Sequence, residues 1–205
     1  MPNAYIPRDQ VHAWSESMSD DVEAHQASLT RLLKEQRRLS KFIEENAENM
    51  QPTTAGVSQY MTGVVVRMFD LAGGRLRSAT WAQVREAAAR VQSAMGELLP
   101  LDDSFPARAR GVDWRAQPHI LDEALMALFE RDQDDEEAEL DLAECLKVYL
   151  MMWVATEVLD NNWKPSKKFE GDASYTYVHI EPKKADKADK ADKADKADNA
   201  EAAAT

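Results

Sequence analysis

The hydrophobic positions of this chain repeat mainly with helical spacing, and the longest such pattern comes first. Between about Arg8 and Asn49 the spacings alternate between four and three residues, as in a coiled-coil seam. At 1.5 Å per residue, one helix over residues 8–50 would be roughly 60 Å long, longer than a domain of this size is wide. We therefore expect part of it to project or to pair. The seam consists of Met18, Val22, His25, Leu29, Leu32, Gln36, Leu39 and Ile43.

Two polar residues, His25 and Gln36, interrupt this seam. A single polar seam residue lowers stability but fixes the register or the number of helices that associate. In an antiparallel pair of copies, acids such as Glu16 and Asp20 of one copy would approach the bases in the second half of the other copy's helix. The pattern predicts an assembly or adaptor protein that acts through this seam, either as a homo-oligomer or with a protein partner.

Two further amphipathic helices follow. Pro52 ends the first pattern, and a second stripe then stops at Gly73-Gly74, a pair typical of a helix C-terminus. Thr80 and Gln83 have the spacing of a capping box, which predicts the start of a third helix that ends before Pro100. The second stripe contains Val57, Tyr60, Met61, Val64, Met68 and Leu71, and the third contains Trp81, Val84, Ala88, Val91, Met95 and Leu98.

The next segment predicts a loop and two more helices. Residues 100–117 combine Pro, Gly, Asp and Ser with three arginines and are typical of a long loop. Pro118 suits the first position of a short helix that continues to Phe129. Residues 134–160 predict a fifth helix with an acidic start and a body that is apolar on most sides, which is typical of a central helix.

The end of the chain has a different character. Residues 169–182 contain a segment with alternating side chains, Ser174 to Ile180, which predicts one extended strand. Residues 183–205 begin with five Lys-Ala-Asp repeats and contain no large apolar side chain. Such a segment cannot bury enough surface to offset the entropy of ordering, so we expect a disordered tail.

These elements predict an all-α fold, a bundle of about five helices over residues 1–168. The apolar content of 44% supports one domain with a sizeable core. The single cysteine, Cys145, cannot form an internal disulfide, which favours a reducing, cytoplasmic setting. No apolar run approaches the length of a membrane span, so we expect no contact with a membrane.

The formal net charge of -12 is unevenly distributed. Thirteen acidic residues lie between positions 116 and 163, where the only bases are Arg131 and Lys147. One interpretation is an acidic inhibitor or immunity-type protein that binds a basic partner, although acids also suit a helix N-terminus. The residues of this acidic block are Asp132, Asp134, Asp135, Glu136, Glu137 and Glu139.

A second interpretation uses the bases of the central third of the chain. Residues 31–115 hold thirteen basic residues, enough to contact the phosphates of a nucleic acid in a coat or packaging subunit. Ten acids in the same segment weaken this interpretation, and a basic stripe is also a common solvated helix face. The bases concerned are Arg31, Lys34, Arg38, Lys41, Arg75, Arg77, Arg108, Arg110 and Arg115.

The familiar signatures of enzymes are absent from the sequence, and no cofactor or metal is expected. Four histidines and one cysteine do not have the spacing of a zinc site. His119 lies near Asp122 and Glu123, but acids are expected in the first turn of a helix. His25 and Glu157 interrupt apolar faces, which suits a satisfied core polar group better than catalysis. We therefore expect no enzymatic activity.

Overall fold

The computed structural model describes residues 3–130 and 140–172, and the described part of the chain is mostly helical. Besides the helices, the described residues form a two-stranded antiparallel ribbon. In chain order the elements are α1 (Arg8–Asp20), α2 (Val22–Glu35), α3 (Arg37–Ala47), α4 (Pro52–Leu71), β1 (Arg75–Leu76), α5 (Trp81–Ser93), α6 (Met95–Leu98), α7 (Phe105–Arg110), α8 (Pro118–Leu125), a π-helical turn (Met126–Glu130), α9 (Leu142–Asn162) and β2 (Trp163–Lys164).

The predicted long helix over residues 8–50 is replaced by three helices. Asp21 has φ −135° and ψ 69°, and Gln36 has φ −98° and ψ 39°, so the helical backbone is interrupted at both residues. The interruptions allow α1 to pack on α8 while α2 and α3 pack on α4. The segment therefore wraps around the domain instead of projecting from it.

The second predicted helix is present as α4, and the third is divided at Ala94 into α5 and α6. Pro52 is the first residue of α4 and does not merely end the preceding helix. Thr80 caps α5 as the sequence indicates: its hydroxyl accepts a hydrogen bond from the Gln83 amide, and the Gln83 side chain accepts one from the Thr80 amide. This capping box satisfies two backbone groups that the helix itself leaves unpaired.

The segment predicted as a loop, residues 100–117, contains one short helix, α7, whose Phe105 and Ala109 are buried in the core. Pro118 begins α8 as expected. Before it, Gln117 has the left-handed φ of 44°, and the helix continues as a π-helical turn to Glu130.

Helix α9 is the centre of the fold. Every residue from Met151 to Asp160 is buried, and the helix packs against α4, α5 and α8. Its first described helical residue is Leu142, and the Asp141 carboxylate caps it by accepting the Glu144 amide at 2.9 Å. The acidic start predicted for residues 134–139 lies outside the described residues.

The sequence patterns did not predict the ribbon of β1 and β2. Arg75 pairs with Lys164 and Leu76 with Trp163. A further isolated bridge joins Tyr5 to Asp172. The strand predicted for residues 174–180 and the tail of residues 183–205 lie outside the described part of the chain. None of the described helices is long and apolar enough to cross a bilayer.

Candidate functional site

The predicted seam lies inside the chain's own core. Its described side chains are all buried except His25, which is half-buried, and the side chain of Val22 is not among those described. Leu29 faces Gly63 of α4 so closely that a Cβ on that glycine would lie 3.4 Å from a Leu29 methyl group. The seam is thus filled by this chain's own helices, mainly by α4.

The polar seam residue Gln36 is hydrogen-bonded within the chain through both its side-chain nitrogen and its side-chain oxygen. Its side chain donates to the carbonyl of Arg77 at 3.2 Å and accepts from the amide of Ala79 at 3.0 Å. These bonds attach the segment after β1 to the junction of α2 and α3. Gln36 therefore organises the fold of one chain.

The predicted basic residues fall into two groups. Those on α2, α3 and the ribbon are exposed, although Arg31 pairs with Glu35 at 2.8 Å and Lys41 with Glu45 at 3.6 Å. The exposed set is Arg31, Lys34, Arg38, Lys41, Arg75 and Arg77. These remain available at the surface.

The three arginines of residues 100–117 are instead structural. Arg110 and Arg115 are buried, and Arg115 donates to Asp122 at 2.9 Å and to the Arg110 carbonyl at 3.0 Å. Arg110 binds Glu130 through both terminal nitrogens, one of them at 2.6 Å. Arg108 is half-buried and donates to the Leu98 carbonyl. These arginines fasten α7 and the following loop to neighbouring segments of the same chain.

An apolar groove lies between α1, α4 and the unit formed by α8 and its π-helical turn. Its volume is about 430 Å³, within the range of binding pockets in proteins. Its walls include Val57, Met61 and Val64 of α4, Leu128 of the π-helical turn, and Leu140. Methionines in such a wall adapt their shape to different occupants. This groove is the strongest candidate binding site among the described residues.

The groove explains the unusual composition of α4. The sequence stripe Val57, Met61 and Val64 is half-buried and lines the groove, while α4 buries Ser58 and Thr62 more deeply. These two hydroxyls donate to the backbone of their own helix, Ser58 to Ala55 at 2.8 Å and Thr62 to Ser58 at 2.7 Å. Small, internally satisfied side chains let the neighbouring helices approach this side of α4 closely, whereas the stripe Val57, Met61 and Val64 lines the groove.

The rim of the groove is polar and acidic. Ser15, Ser19 and Glu123 line it, and the exposed acids Glu16 and Asp20 follow the two serines on α1. On the α4 wall, residues 52–66 carry no charge. The groove therefore combines an apolar floor with a negative edge, and this uncharged run beside a regular stripe was the signal for it in the sequence.

A second, polar pocket of about 720 Å³ adjoins the groove through Glu123. His12 contacts Glu123 at 3.2 Å, and His119 contacts Asp172 at 3.3 Å. Asp122, expected beside His119, binds Arg115 instead. The described residues that line this pocket include no hydroxyl or thiol nucleophile, and no group of described His, Cys, Asp or Glu residues is arranged to hold a metal ion.

Glu157 and Asp160 are buried on α9, and both act as acceptors in the core. Glu157 accepts from the Ala116 amide at 2.8 Å and from the Trp153 indole at 3.3 Å. Burial raises the pKa of both carboxyl groups, against the lowering effect of these bonds at Glu157 and of the Gln117 amide at Asp160. His25, the other polar residue that interrupts an apolar stripe, is not among the contacts of Glu157.

Comparison with known proteins leaves these surfaces as the basis for any functional assignment. No protein-family model, no curated protein and no solved structure matches this chain.

Proposed function

We propose that this protein is a non-enzymatic adaptor that binds an amphipathic helix of a partner protein in the groove between α1, α4 and α8. The observation that carries the proposal is the apolar groove itself, whose half-buried wall residues Val57, Met61 and Val64 have no covering element among the described residues. Grooves of this kind take the apolar face of a helix whose anchors are three and four residues apart.

The charge around the groove specifies the partner further. Glu123 lines the groove, the exposed acids Glu16 and Asp20 follow two of its lining serines on α1, and the chain as a whole has a net charge of -12. An acidic rim speeds the encounter with a positively charged partner and disfavours an acidic one. The proposed partner helix therefore carries leucine-like anchors on one face and lysines or arginines beside them.

This proposal keeps the adaptor function expected from the sequence, but the binding surface is the groove instead of the seam. Association through the seam would require Leu32, Leu39 and Ile43 to leave a core in which each is at most 3% exposed. Exposing three such side chains would cost several kcal/mol. We also propose a cytoplasmic location, because the lone cysteine, Cys145, is buried and unpaired.

The test uses a fluorescent amphipathic peptide of leucine and lysine as the probe, with binding measured by anisotropy. Replacing the exposed Ala127 by Trp fills the groove from the π-helical turn without burying a charge. We expect this variant to bind about tenfold more weakly, a loss of about 1.4 kcal/mol. The matched control is Ala89→Trp, at an exposed position of α5 outside the groove.

A second variant separates the apolar floor from the acidic rim. Asp20→Lys replaces an acid by a base and leaves the apolar floor intact. We therefore expect this variant to bind the basic peptide more weakly and with a smaller dependence on salt. Circular dichroism and thermal melting establish that each variant is folded. Equal binding by the wild type, Ala127→Trp and Ala89→Trp would reject the groove as the binding site, and so would the absence of binding by the wild type.

A further inference from the structure

The antiparallel ribbon places two like charges directly opposite each other. Arg75 and Lys164 are register partners, both are exposed, and the described residues offer neither of them an acidic partner within 4 Å. Like charges at opposed positions of a strand pair destabilise it. A fold that keeps such a pair at its surface has a site where an anion would be stabilising.

The pleat of the ribbon gathers further bases on the same side. Leu76 and Trp163 point toward the core, where Trp163 is only 4% exposed, so Arg75 and Lys164 point outward. The Arg77 amide continues the ladder by donating to the Asn162 carbonyl at 3.0 Å. Two residues after Arg75, the exposed Arg77 shares its outward direction.

Two neighbouring segments extend this surface. After β2, a turn closed by the Phe169 amide and the Ser166 carbonyl at 3.1 Å carries the exposed Lys167 and Lys168 at its two central positions. On the other side, Arg38 of α3 donates to the Ala79 carbonyl at 3.4 Å. We name the basic face as the set Arg38, Arg75, Arg77, Lys164, Lys167 and Lys168.

Two acids next to the basic face are already engaged, and the exposed Glu170, just after the lysine turn, is a third acid there. Asp70 binds Arg67 and lies 3.7 Å from Arg31, and the Glu35 carboxylate binds Arg31 at 2.8 Å. The face therefore keeps a positive local charge although the chain is acidic overall.

The described acids at the start of α9 are remote from this face. Asp141 and Glu144 stand at the start of α9, and the ribbon follows its end. The 21 residues of α9 separate the two by about 30 Å. Salt at physiological concentration screens charges beyond about 8 Å, so the acids at the far end do not cancel the basic face.

We infer that the basic face binds the phosphate backbone of double-stranded nucleic acid, without reading its sequence. Three of the six bases are arginines, whose forked guanidinium groups match phosphate oxygens. Trp163 is buried, and the half-buried Phe169 packs against it at 5.0 Å, so the described part of the face presents no fully exposed ring for stacking on an unpaired base. Stacking is the main contribution in single-strand binding, so a basic face without a fully exposed ring among the described residues favours a duplex.

The experiment measures the anisotropy of a short labelled duplex of random sequence as the full chain is added at several salt concentrations. We expect the logarithm of the association constant to fall linearly with the logarithm of the salt concentration, with a slope of about −0.9 for each phosphate contacted. The test variant is Arg75→Glu with Lys164→Glu. The matched control, Arg85→Glu with Lys147→Glu, makes the same change in net charge at exposed positions of α5 and α9.

If binding is localised at the basic face, the ribbon variant Arg75→Glu with Lys164→Glu should lose about tenfold or more in affinity for the duplex, with a shallower salt slope. The affinity of the control should change little. Arg75→Gln with Lys164→Gln, which is milder for folding, should give a smaller loss in the same direction. The groove variant Ala127→Trp should bind the duplex normally, which keeps this test independent of the proposed adaptor function.

Three results would overturn the inference. The first is no duplex binding at about 50 mM salt, where such contacts are strongest. The second is an equal loss in the ribbon and control variants, which would indicate a response to net charge alone. The third is tighter binding of polyglutamate or of a single-stranded oligonucleotide than of the duplex, which would assign the face to an acidic protein or to unpaired bases.

Discussion

The side-chain carbonyl of Gln36 accepts a hydrogen bond from the backbone amide of Ala79 at 3.0 Å. Both residues are buried, and the same side chain donates to the Arg77 carbonyl. One glutamine thus fixes the interruption between α2 and α3 and the segment that joins β1 to α5. The polar interruption of the sequence pattern marks the place where the chain changes direction.

We predict that Gln36→Leu lowers the free energy of unfolding by about 1–3 kcal/mol, because the buried Ala79 amide loses its acceptor. Urea denaturation followed by circular dichroism measures the change. The control Gln92→Leu, at an exposed position of α5, should stay within about 0.5 kcal/mol of the wild type. If Gln36 were instead a seam residue between copies, its replacement by leucine would change the molar mass measured by light scattering.

The sequence predicted those parts of the fold that local signals determine. The Thr80 capping box and Pro118 marked the starts of α5 and α8 correctly, since each acts through its own backbone. The break at Gln36 has no glycine or proline beside it, and its cause is a contact with residues 41 and 43 positions away. Contacts of that range leave no periodic trace, so the heptad pattern indicated a continuous helix.

The candidate sites show the same division. Burial of Arg110 and Arg115 depends on Asp122 and Glu130 in the next helical unit, so composition alone favoured an exposed loop. The ribbon has two residues in each strand, too few for an alternating pattern to be recognised. The apolar stripe of α4 was identified, but only the arrangement of three helices shows that it lines a groove.

The buried ion network around Arg115 gives a second stability prediction. The Arg115 side chain is 1% exposed and bonds both Asp122 and the Arg110 carbonyl. Arg115→Met should lower the free energy of unfolding by about 1.5–3 kcal/mol, because the half-buried Asp122 keeps only the longer contact with Arg110, at 3.8 Å. Adding Asp122→Asn should recover part of the loss. Arg77→Met, at an exposed site, is the control, and an equal effect there would argue against the network.

The raised pKa values on α9 predict how stability depends on pH. Glu157 has an ordinary pKa of 4.5, and burial raises it in the folded state, so the folded protein holds this proton more tightly than the unfolded chain. Its contribution to stability is complete below about pH 4.5 and is lost as pH rises through the raised pKa. Asp160 acts in the same direction.

Glu157→Gln removes this titration while keeping an oxygen to accept from Ala116 and Trp153. We therefore expect the variant to gain stability relative to the wild type as pH rises above about 4.5. Urea denaturation of both proteins across a pH series measures the difference. Parallel stability curves would show that Glu157 has the same proton affinity in the folded and unfolded states.

Two glycines should respond oppositely to replacement by alanine. Gly74 follows α4 with φ 94°, and a Cβ there would lie 2.4 Å from the Lys164 carbonyl oxygen and 2.8 Å from the Ser166 amide nitrogen. Gly74→Ala should destabilise the protein by more than about 1 kcal/mol, because the side chain opposes both the left-handed backbone and the approach of β2.

Gly56 lies within α4, and a Cβ there meets nothing within 4 Å. Gly56→Ala should stabilise by about 0.5–1 kcal/mol. Thermal melting of the two variants checks both signs, and a destabilised Gly56→Ala would contradict the open space next to this glycine.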